Sequence, residues 1–244
     1  MTELYNQMIS RQKEVFTESQ QEKIRNTPVL VIGCGGLGGT VIEQLVRAGF
    51  ENLTIVDQDV FDKTNLNRQI RSNLDTIDKS KVETAKKESL KINPNLNITG
   101  YDTTITPENI SQIFKGNDIV IDAVDNVYTR VMISREARKQ NMAFIHCAVE
   151  TTVGQLTIIT NDTPSYEELF KLKSNGKTLD KSKEYLLCIS TKKPQVLGTT
   201  PAIFGALEVN ETIKYILESK DALFAPKVLL WDIFDMTSFR IIDF

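Results

Sequence analysis

The chain has 244 residues, and 41% of them are hydrophobic, which is enough to bury the core of one large domain. A formal net charge of −3 at pH 7 argues against general affinity for nucleic acid or for an anionic membrane. We expect neither a membrane span nor a signal peptide, because no apolar run is long enough and the start is polar. The three cysteines form no CxxC pair, which predicts no cysteine zinc site and a cytoplasmic protein with free thiols.

Segments typical of strands and helices alternate over residues 28–146. A polar helical arm is predicted before them, over residues 1–27, and the first strand is predicted at Val29–Ile32. Further strands are predicted at residues 53–56, 96–101, 118–123 and 143–145, and helices at residues 38–48, 80–92 and 127–140, with a short helix that opens at Thr106. This alternation predicts an α/β, Rossmann-like fold in which the N-terminal part of the sheet is mostly parallel and helices lie on both faces.

Residues 147–244 follow a different pattern. A strand is predicted at residues 154–160 and a helix at residues 201–217. Two more strands, at residues 228–233 and 238–242, are expected to form an antiparallel pair that closes the sheet. The lysine-rich residues 171–195 show little periodicity, and we predict a mobile loop over the site there. The sequence therefore predicts a single domain with a mixed sheet.

A glycine-rich turn follows the first strand. Gly33, Gly35 and Gly38 stand in the order G-x-G-x-x-G, and a helix that starts near Gly36 would direct free N–H groups and its positive dipole end at a phosphate. The second strand ends in Asp57, whose carboxylate can accept hydrogen bonds from ribose hydroxyls. The glycines could instead only shape a strand–helix turn, but the acid at the end of the second strand favours a nucleotide site.

Cationic residues downstream of this turn favour ATP over NAD. Arg68 and Lys81 can bind the oxygens of a triphosphate, whereas a dinucleotide pyrophosphate needs far less positive charge. Asp125 and Asn126 follow the strand predicted at residues 118–123, at the sheet edge where such folds bind ligands. A carboxylate that faces phosphates there is a natural magnesium ligand. Each of these residues alone could be an ordinary surface charge or a helix cap.

The order of these motifs resembles that of the ThiF/MoeB/HesA family of adenylyltransferases, which are related to ubiquitin-activating enzymes. The resemblance covers nearly the whole chain, from Ser10-Arg11-Gln12 onward. It rests on GCGGLG at residues 33–38, Asp57-Gln58-Asp59, NLNRQ at residues 65–69, Lys81 and Asp125-Asn126. The motifs are specific to the family when they occur together.

The resemblance implies a role for each matching residue. ATP is expected to contact Gly33, Gly35, Gly36, Gly38, Asp57, Asp59, Asn65, Arg68, Gln69, Lys81, Asp125 and Asn126. Arg68, Lys81 and Asp125 are expected to act at the phosphates, and Asp125 to bind Mg²⁺. Arg11 is expected to reach into the site of the other subunit of a homodimer. Asp59 could instead be a loop cap.

The resemblance also implies the reaction. In the family, the C-terminal glycine carboxylate of a small ubiquitin-like sulfur-carrier or modifier protein, ending in Gly-Gly, attacks the α-phosphate of ATP. An acyl-adenylate and pyrophosphate are formed, and no side chain need act as a base because the attacking carboxylate is already ionised. Residues 28–146 are then expected to bind the nucleotide, and residues 147–244 the carrier.

The chain departs from the family pattern at two places. It lacks the CxxC pairs that hold zinc in many relatives, and Met8 and Ile9 precede Ser10-Arg11-Gln12 where the family often has another arginine. Cys188 is a separate question. It could accept the activated acyl group as a thiolate, or it could be a small buried residue among the apolar side chains that flank it.

Three other functions share some of these motifs. The same chemistry could adenylate a short peptide or a modified tRNA nucleoside, although the mild acidity of the chain argues against tRNA. An NAD-dependent oxidoreductase would share the glycine turn and Asp57, but it would not need Arg68, Lys81 and Asp125 together. A partner subunit without activity would not be expected to keep this whole set of residues.

Overall fold

One mixed β-sheet organises the chain, in a computed structural model that describes residues 2–189 and 195–244. Its strands are β1 (Val29–Ile32), β2 (Asn52–Asp57), β3 (Asn97–Asp102), β4 (Ile119–Asp122), β5 (Ala143–Glu150), β6 (Val153–Ile159), β7 (Lys227–Asp232) and β8 (Arg240–Asp243). Within the described ranges they form an eight-stranded sheet in the order β3-β2-β1-β4-β5-β6-β7-β8. The predicted fold class is confirmed, because β1 to β5 pair in parallel and β5 to β8 pair antiparallel.

Helices cover both faces of the sheet. They are α1 (Glu3–Met8), α2 (Glu18–Asn26), α3 (Gly36–Ala48), α4 (Lys81–Ile92), α5 (Ile110–Phe114), α6 (Val127–Lys139), α7 (Tyr166–Leu169), α8 (Leu179–Ile189) and α9 (Thr199–Ile216). Because strand side chains alternate in direction, Val29 and Val31 pack in the core shared with α3 and α9, while Leu30 and Ile32 pack with α5 and α6. In the part of the chain that the structure describes, no helix is both long and apolar enough to cross a membrane.

The strand register brings three loops to one edge of the sheet. Ile32 of β1 pairs with Val56 of β2 on one side and with Asp122 of β4 on the other. The loops that start after these three strands therefore begin side by side. The Gly33 N–H donates to the Val56 carbonyl (2.8 Å), and the Ala123 N–H donates to the Ile32 carbonyl (3.0 Å). This is the edge at which doubly wound sheets bind ligands.

β5 is longer than its parallel neighbour. Its first residues pair with β4 as far as His146. Residues 147–150 continue past the end of β4 and, among the described residues, pair with β6 alone. Four residues of strand extend roughly 13 Å. This extension carries the antiparallel half of the sheet beyond the edge and makes a wall beside the three loops.

The segment predicted as a mobile loop, residues 171–195, contains a helix. The prediction is wrong for Leu179–Ile189, which form α8. Leu186 is fully buried in the core beside α6, and α8 packs on α6. Apolar side chains at helical spacing thus outweigh the lysines between them. Residues 190–194 of the predicted loop lie outside the described residues.

Two helical segments differ in detail from the prediction. The N-terminal arm consists of α1 and α2 with a 3₁₀ turn at Ser10–Gln12 between them. The short helix predicted to open at Thr106 begins at Ile110, because the Thr106 carbonyl first accepts turn hydrogen bonds from the N–H groups of Asn109 and Ile110.

Glu208 of α9 is a buried carboxyl group inside this core. It is fully inaccessible, and neither of its oxygens has a hydrogen-bond partner among the described residues. Burial raises the pKa of Glu208 well above its ordinary value. The carboxyl therefore stays protonated in the folded chain, whereas in the unfolded chain it ionises above about pH 4.3. Its contribution to folding stability is largest at acidic pH and declines as the pH rises.

We expect Glu208→Gln to increase the free energy of unfolding by about 1–3 kcal/mol at pH 8 and by less near pH 4.5, because glutamine has no proton to lose. Urea unfolding at several pH values measures this. Glu14→Gln, which changes an exposed carboxylate, is the control. A stability difference between Glu208→Gln and the wild type that does not vary with pH would contradict the prediction.

Candidate active site

A cavity of about 980 Å³ opens at the sheet edge where the three loops begin. Most of the predicted site residues line it: Gly33, Gly35, Gly36, Asp57, Asp59, Asn65, Arg68, Gln69, Lys81, Asp125 and Asn126. The cavity continues along the β5 extension, where Thr151, Gly154 and Leu230 form part of the opposite wall. Gly38, Arg11 and Cys188 do not line it. Residues from both halves of the sequence therefore meet at one site.

The glycine turn has two kinds of glycine. Gly33 has a φ of +104°, and a Cβ there would lie 2.4 Å from the Ala123 carbonyl oxygen. A Cβ on Gly38 would lie 1.8 Å from the carbonyl oxygen of Gly33. Gly38 therefore lets α3 pack against the end of β1. It does not line the cavity, although the family resemblance implies that it contacts ATP. Gly35 and Gly36 stand at the helix start, where a Cβ would meet neighbours no closer than 3.4 Å.

The start of α3 is suited to an anion. Gly35 is the N-cap, and no side chain caps this helix end among the residues described. The first N–H groups of α3 are thus not engaged by a capping side chain, and the positive end of the helix dipole faces the cavity. Phosphate oxygens are the ligands that such a helix start binds.

Asp57 is held at the end of β2 by two backbone hydrogen bonds. Its Oδ2 accepts from the Cys34 N–H (2.7 Å), and its Oδ1 accepts from the Asp59 N–H (2.8 Å). Burial raises the pKa of Asp57, although these N–H donors and Lys81 oppose the shift. Each carboxylate oxygen keeps a second lone pair, which can accept a ribose hydroxyl.

Lys81 and Asp59 form an ion pair in the cavity wall. The Lys81 Nζ lies 2.9 Å from the Asp59 Oδ2, and the Lys81 N–H donates to the Asp59 carbonyl (3.0 Å). The Lys81 side chain is buried, whereas the Asp59 side chain is half exposed. A carboxylate repels phosphate, so Asp59 is suited to orient the lysine, and Lys81 is the member of the pair that can attract an anion.

Asn65 builds the turn that presents Arg68. The buried Asn65 side chain accepts the Asp62 N–H (3.1 Å), and its carbonyl accepts the N–H groups of Arg68 (3.1 Å) and Gln69 (2.9 Å). The Arg68 Nη1 donates to the Thr64 carbonyl (2.8 Å) and to the Asn67 Oδ1 (2.8 Å). Among the described residues, no carboxylate forms an ion pair with Arg68. Within the described residues, its guanidinium is thus hydrogen-bonded to neutral oxygens and is not neutralised by a carboxylate.

Gln69 adds an orphan acceptor beside the glycine turn. Its side chain is buried, and its Oε1 has no hydrogen-bond partner within the described residues. A Cβ on Gly35 would approach the Gln69 amide nitrogen at 3.6 Å, so the two residues are neighbours. An unsatisfied buried oxygen at a cavity wall is a place where a bound hydroxyl or water would donate.

Asp125 and Asn126 divide two tasks. The Asn126 Oδ1 accepts the Thr129 N–H (2.8 Å) and so caps α6. Asp125 is exposed at the cavity. No group of three or more His, Cys, Asp or Glu residues that could hold a metal occurs among the residues searched, namely those that the structure describes. A single carboxylate beside a phosphate site suits Mg²⁺, which binds one or two carboxylates together with phosphates and water.

Arg11 lies far from the cavity of its own chain. It is exposed in the Ser10–Gln12 turn, and the Gln12 amide donates to the Ala48 carbonyl (2.9 Å) at the C-terminal end of α3. α3 spans 13 residues, which is about 20 Å. Because the glycine turn is at the other end of this helix, Arg11 is not brought to its own site.

Cys188 is exposed on α8, so the interpretation as a small buried residue is wrong. Its neighbour Ile189 lines the cavity, whereas Cys188 does not. Cys34 and Cys147 are buried.

A buried polar cluster that includes Arg130, one of the residues lining the cavity, has no counterpart in the predicted site residues. The Arg130 Nε lies 2.5 Å from the Asp122 Oδ2, and the His146 Nδ1 lies 2.8 Å from the same oxygen. Burial raises the pKa of Asp122, but Arg130 and His146 outweigh it, so the net shift is downward. Burial lowers the pKa of His146 and keeps its ring neutral. No spacing rule links these three residues, because they come from β4, α6 and β5.

Comparison with known proteins identifies the family of the chain. The profile of the ThiF family matches residues 9–243. The chain belongs to the ThiF family. It is 30% identical over 217 residues to the SAMP-activating enzyme E1 of Haloferax volcanii, covering 89% of this chain and 77% of that protein.

Other curated relatives are longer. The chain is 32% identical to a probable molybdopterin-synthase adenylyltransferase of Porphyra purpurea, covering 83% of this chain and 51% of that protein. It is 30% identical to the adenylyltransferase and sulfurtransferase UBA4 of Saccharomyces cerevisiae, covering 90% of this chain and 49% of that protein. The chain thus spans about half the length of these two relatives.

Solved structures share the fold at lower identity. E. coli MccB with ATP superposes with a TM-score of 0.78 at 20% identity, covering all of this chain and 74% of that chain. PaaA gives 0.77 at 21% identity, covering 98% and 81%. E. coli tRNA N6-threonylcarbamoyladenosine dehydratase TcdA, in complex with AMP, gives 0.70 at 21% identity, covering 89% and 97%.

We expect Gly38→Ala to lower the free energy of unfolding by more than about 2 kcal/mol, because the new Cβ would overlap the Gly33 carbonyl. Gly36→Ala is the matched control on the same helix turn, where a Cβ meets only ordinary contacts. Thermal and urea unfolding of both variants measure this. Equal stability of the two variants would contradict the packing role of Gly38.

Proposed function

We propose that this ThiF-family protein is an ATP-dependent adenylyltransferase that activates the C-terminal glycine carboxylate of a small ubiquitin-like carrier protein ending in Gly-Gly. The observation that carries the proposal is the convergence of the glycine turn, Asp57, Lys81, Arg68 and Asp125 at one cavity. The names of the curated relatives, which include adenylyltransferases and a SAMP-activating enzyme, support the same class of reaction.

The cavity fits ATP by the chemistry of its walls. The N–H groups at the start of α3 and the charge of Arg68 would bind phosphate oxygens, and Asp57 would accept the ribose hydroxyls. Lys81, held by Asp59, would stabilise the charge that develops on the departing pyrophosphate. Asp125 would hold Mg²⁺, which neutralises phosphate charge when it is bound. These residues act by positioning and electrostatics.

No residue of the chain is needed as a general base. The carrier carboxylate is ionised at neutral pH and can attack phosphorus directly. His146 is fully buried, and its two ring nitrogens are engaged by Asp122 and by Gln155 (3.1 Å). The wall made by the β5 extension and by β6 would then hold the C-terminal tail of the carrier in line with the α-phosphate.

We further propose a cytoplasmic homodimer in which Arg11 acts in the site of the partner. Arg11 is exposed and remote from its own cavity, so it could contribute only to another copy. Apolar side chains are exposed around the Arg68 turn: Val60, Leu66, Ile70 and Leu74. A second copy would cover them.

Free cysteines suit the reducing cytoplasm. Cys188 remains a proposed acyl acceptor, and zinc is not expected.

We expect Arg68→Ala to lower carrier-dependent exchange of labelled pyrophosphate into ATP by about 100-fold or more, because one electrostatic contact to the phosphates is lost. Arg47→Ala is the control, since Arg47 is exposed at the far end of α3. Equal exchange in Arg68→Ala and in wild type would overturn the assignment. Exchange that requires a short peptide or a modified tRNA nucleoside would assign the alternative substrates, and binding of NAD instead of ATP would indicate an oxidoreductase.

The dimer proposal has a separate test. Arg11→Ala and Arg68→Ala are each expected to be inactive, whereas a mixture allowed to exchange subunits should regain up to about a quarter of wild-type exchange activity. The gain arises because one site of each heterodimer contains both arginines. A mixture that stays inactive although subunit exchange is demonstrated would show that Arg11 does not act across subunits.

A further inference from the structure

The buried Asp122–Arg130 pair holds both backbone polar groups of Val124, the residue that precedes Asp125. The Val124 N–H donates to the Asp122 Oδ1 (3.2 Å), and the Arg130 Nη2 donates to the Val124 carbonyl (2.6 Å). The Arg130 Nε also binds the Asp122 Oδ2 (2.5 Å). These contacts form a closed ring that joins the end of β4, the loop and the first turns of α6.

His146, together with Gln155 and Tyr166, holds this ring of hydrogen bonds in place. His146 holds the Asp122 Oδ2 through its Nδ1, and its Nε2 faces the Gln155 amide at 3.1 Å, so the amide nitrogen donates and the neutral ring accepts. The aromatic ring of Tyr166 packs edge-on against His146, with 5.0 Å between ring centroids. Asp122 and His146 are fully inaccessible, and Arg130 is nearly so. The cluster therefore has little freedom to rearrange.

The loop is fixed on its other side as well. Asn126 caps α6 through the Thr129 N–H, so the residues before and after Asp125 are both tied to regular structure. A buried ion pair gives little net stability, because its desolvation offsets its attraction. What this pair does provide is a defined position for Val124. The Nε of Arg130 binds Asp122 while its Nη2 binds the Val124 carbonyl, and the single ammonium group of a lysine cannot reproduce both contacts.

We propose that Asp122 and Arg130 are positioning residues that fix the backbone of Val124 so that the carboxylate of Asp125 stands where magnesium and phosphate meet. This inference rests on the proposed function, in which Asp125 is the magnesium ligand. Neither Asp122 nor Arg130 needs to touch the reacting atoms. Their effect is carried by two hydrogen bonds to one loop residue.

The test compares Arg130→Lys with Arg135→Lys. Arg135 lies on the same helix and makes the same kind of contacts, binding the Glu167 carboxylate (2.7 Å) and the Ser174 carbonyl (3.1 Å), but it does not line the cavity. Hydrogen–deuterium exchange of the Val124 amide is measured first, without nucleotide. We expect it to be about 10-fold faster or more in Arg130→Lys and unchanged in Arg135→Lys. Equal rates of hydrogen–deuterium exchange at the Val124 amide in the two variants would overturn the inference.

The second readout is the Mg²⁺ dependence of ATP–pyrophosphate exchange. Arg130→Lys should raise the Mg²⁺ concentration for half-maximal rate by about 10- to 100-fold, while ATP affinity measured with EDTA stays as in wild type. An unchanged Mg²⁺ dependence would overturn the inference. If Arg130→Lys does not fold, Asp122→Asn takes its place, because it keeps an acceptor for the Val124 N–H and removes the charge that holds Arg130.

The two failures can be told apart. If the wild type supports no ATP–pyrophosphate exchange with any carrier or ATP analogue, the proposed function fails. Hydrogen–deuterium exchange of the Val124 amide then still shows whether the Asp122–Arg130 pair positions the loop. If the wild type is active and Arg130→Lys matches Arg135→Lys in both readouts, only the positioning role fails.

Discussion

The close approach of α3 to the ends of β1 and β4 is the constraint on which the site depends. Gly33 and Gly38 have no room for a side chain against the neighbouring backbone, so the helix begins directly over the strand end. Asp57 adds to this by accepting the Cys34 N–H, which ties the turn to β2. A helix that started farther away would carry its N–H groups and its dipole out of the cavity. The proposed nucleotide site is thus a consequence of helix–strand packing.

The basic side chains around the cavity differ in whether they already form an ion pair with a carboxylate. Lys81 is oriented by Asp59, and Arg130 is held by Asp122, so these groups are fixed before any ligand arrives. Arg68 is bonded only to neutral oxygens within the described residues, which leaves its charge for an incoming anion. Such preorganised charge is effective because little reorganisation is needed when phosphate binds.

The antiparallel half of the sheet completes the site through one long strand. β5 begins as a parallel strand beside β4 and then runs on alone with β6, past the edge where the nucleotide loops start. In the proposed function, the tail of the carrier enters along this wall and meets the phosphates of ATP. The switch from parallel to antiparallel pairing within one strand therefore joins the proposed nucleotide site to the proposed carrier-binding wall within one sheet.

Short-range patterns in the sequence predict those parts of the site whose residues are close together in the chain. The strand at Val29–Ile32, the glycine turn, Asp57 and the order of Arg68, Lys81 and Asp125 all follow from local spacing and from the family resemblance. The sequence pattern does not indicate α8, because lysines separate its apolar side chains and the burial of those side chains depends on packing against α6, which is distant in the chain.

The roles of individual side chains follow from the tertiary structure. It made Gly38 a packing residue, Asn65 a turn builder and Asn126 a helix cap, and it assembled Asp122, Arg130 and His146 from three separate elements. The physical reason is that a side chain's role depends on which hydrogen-bond partners and charges surround it. Those partners are brought together by strand register and helix packing over long distances in the chain, which a local sequence pattern does not encode.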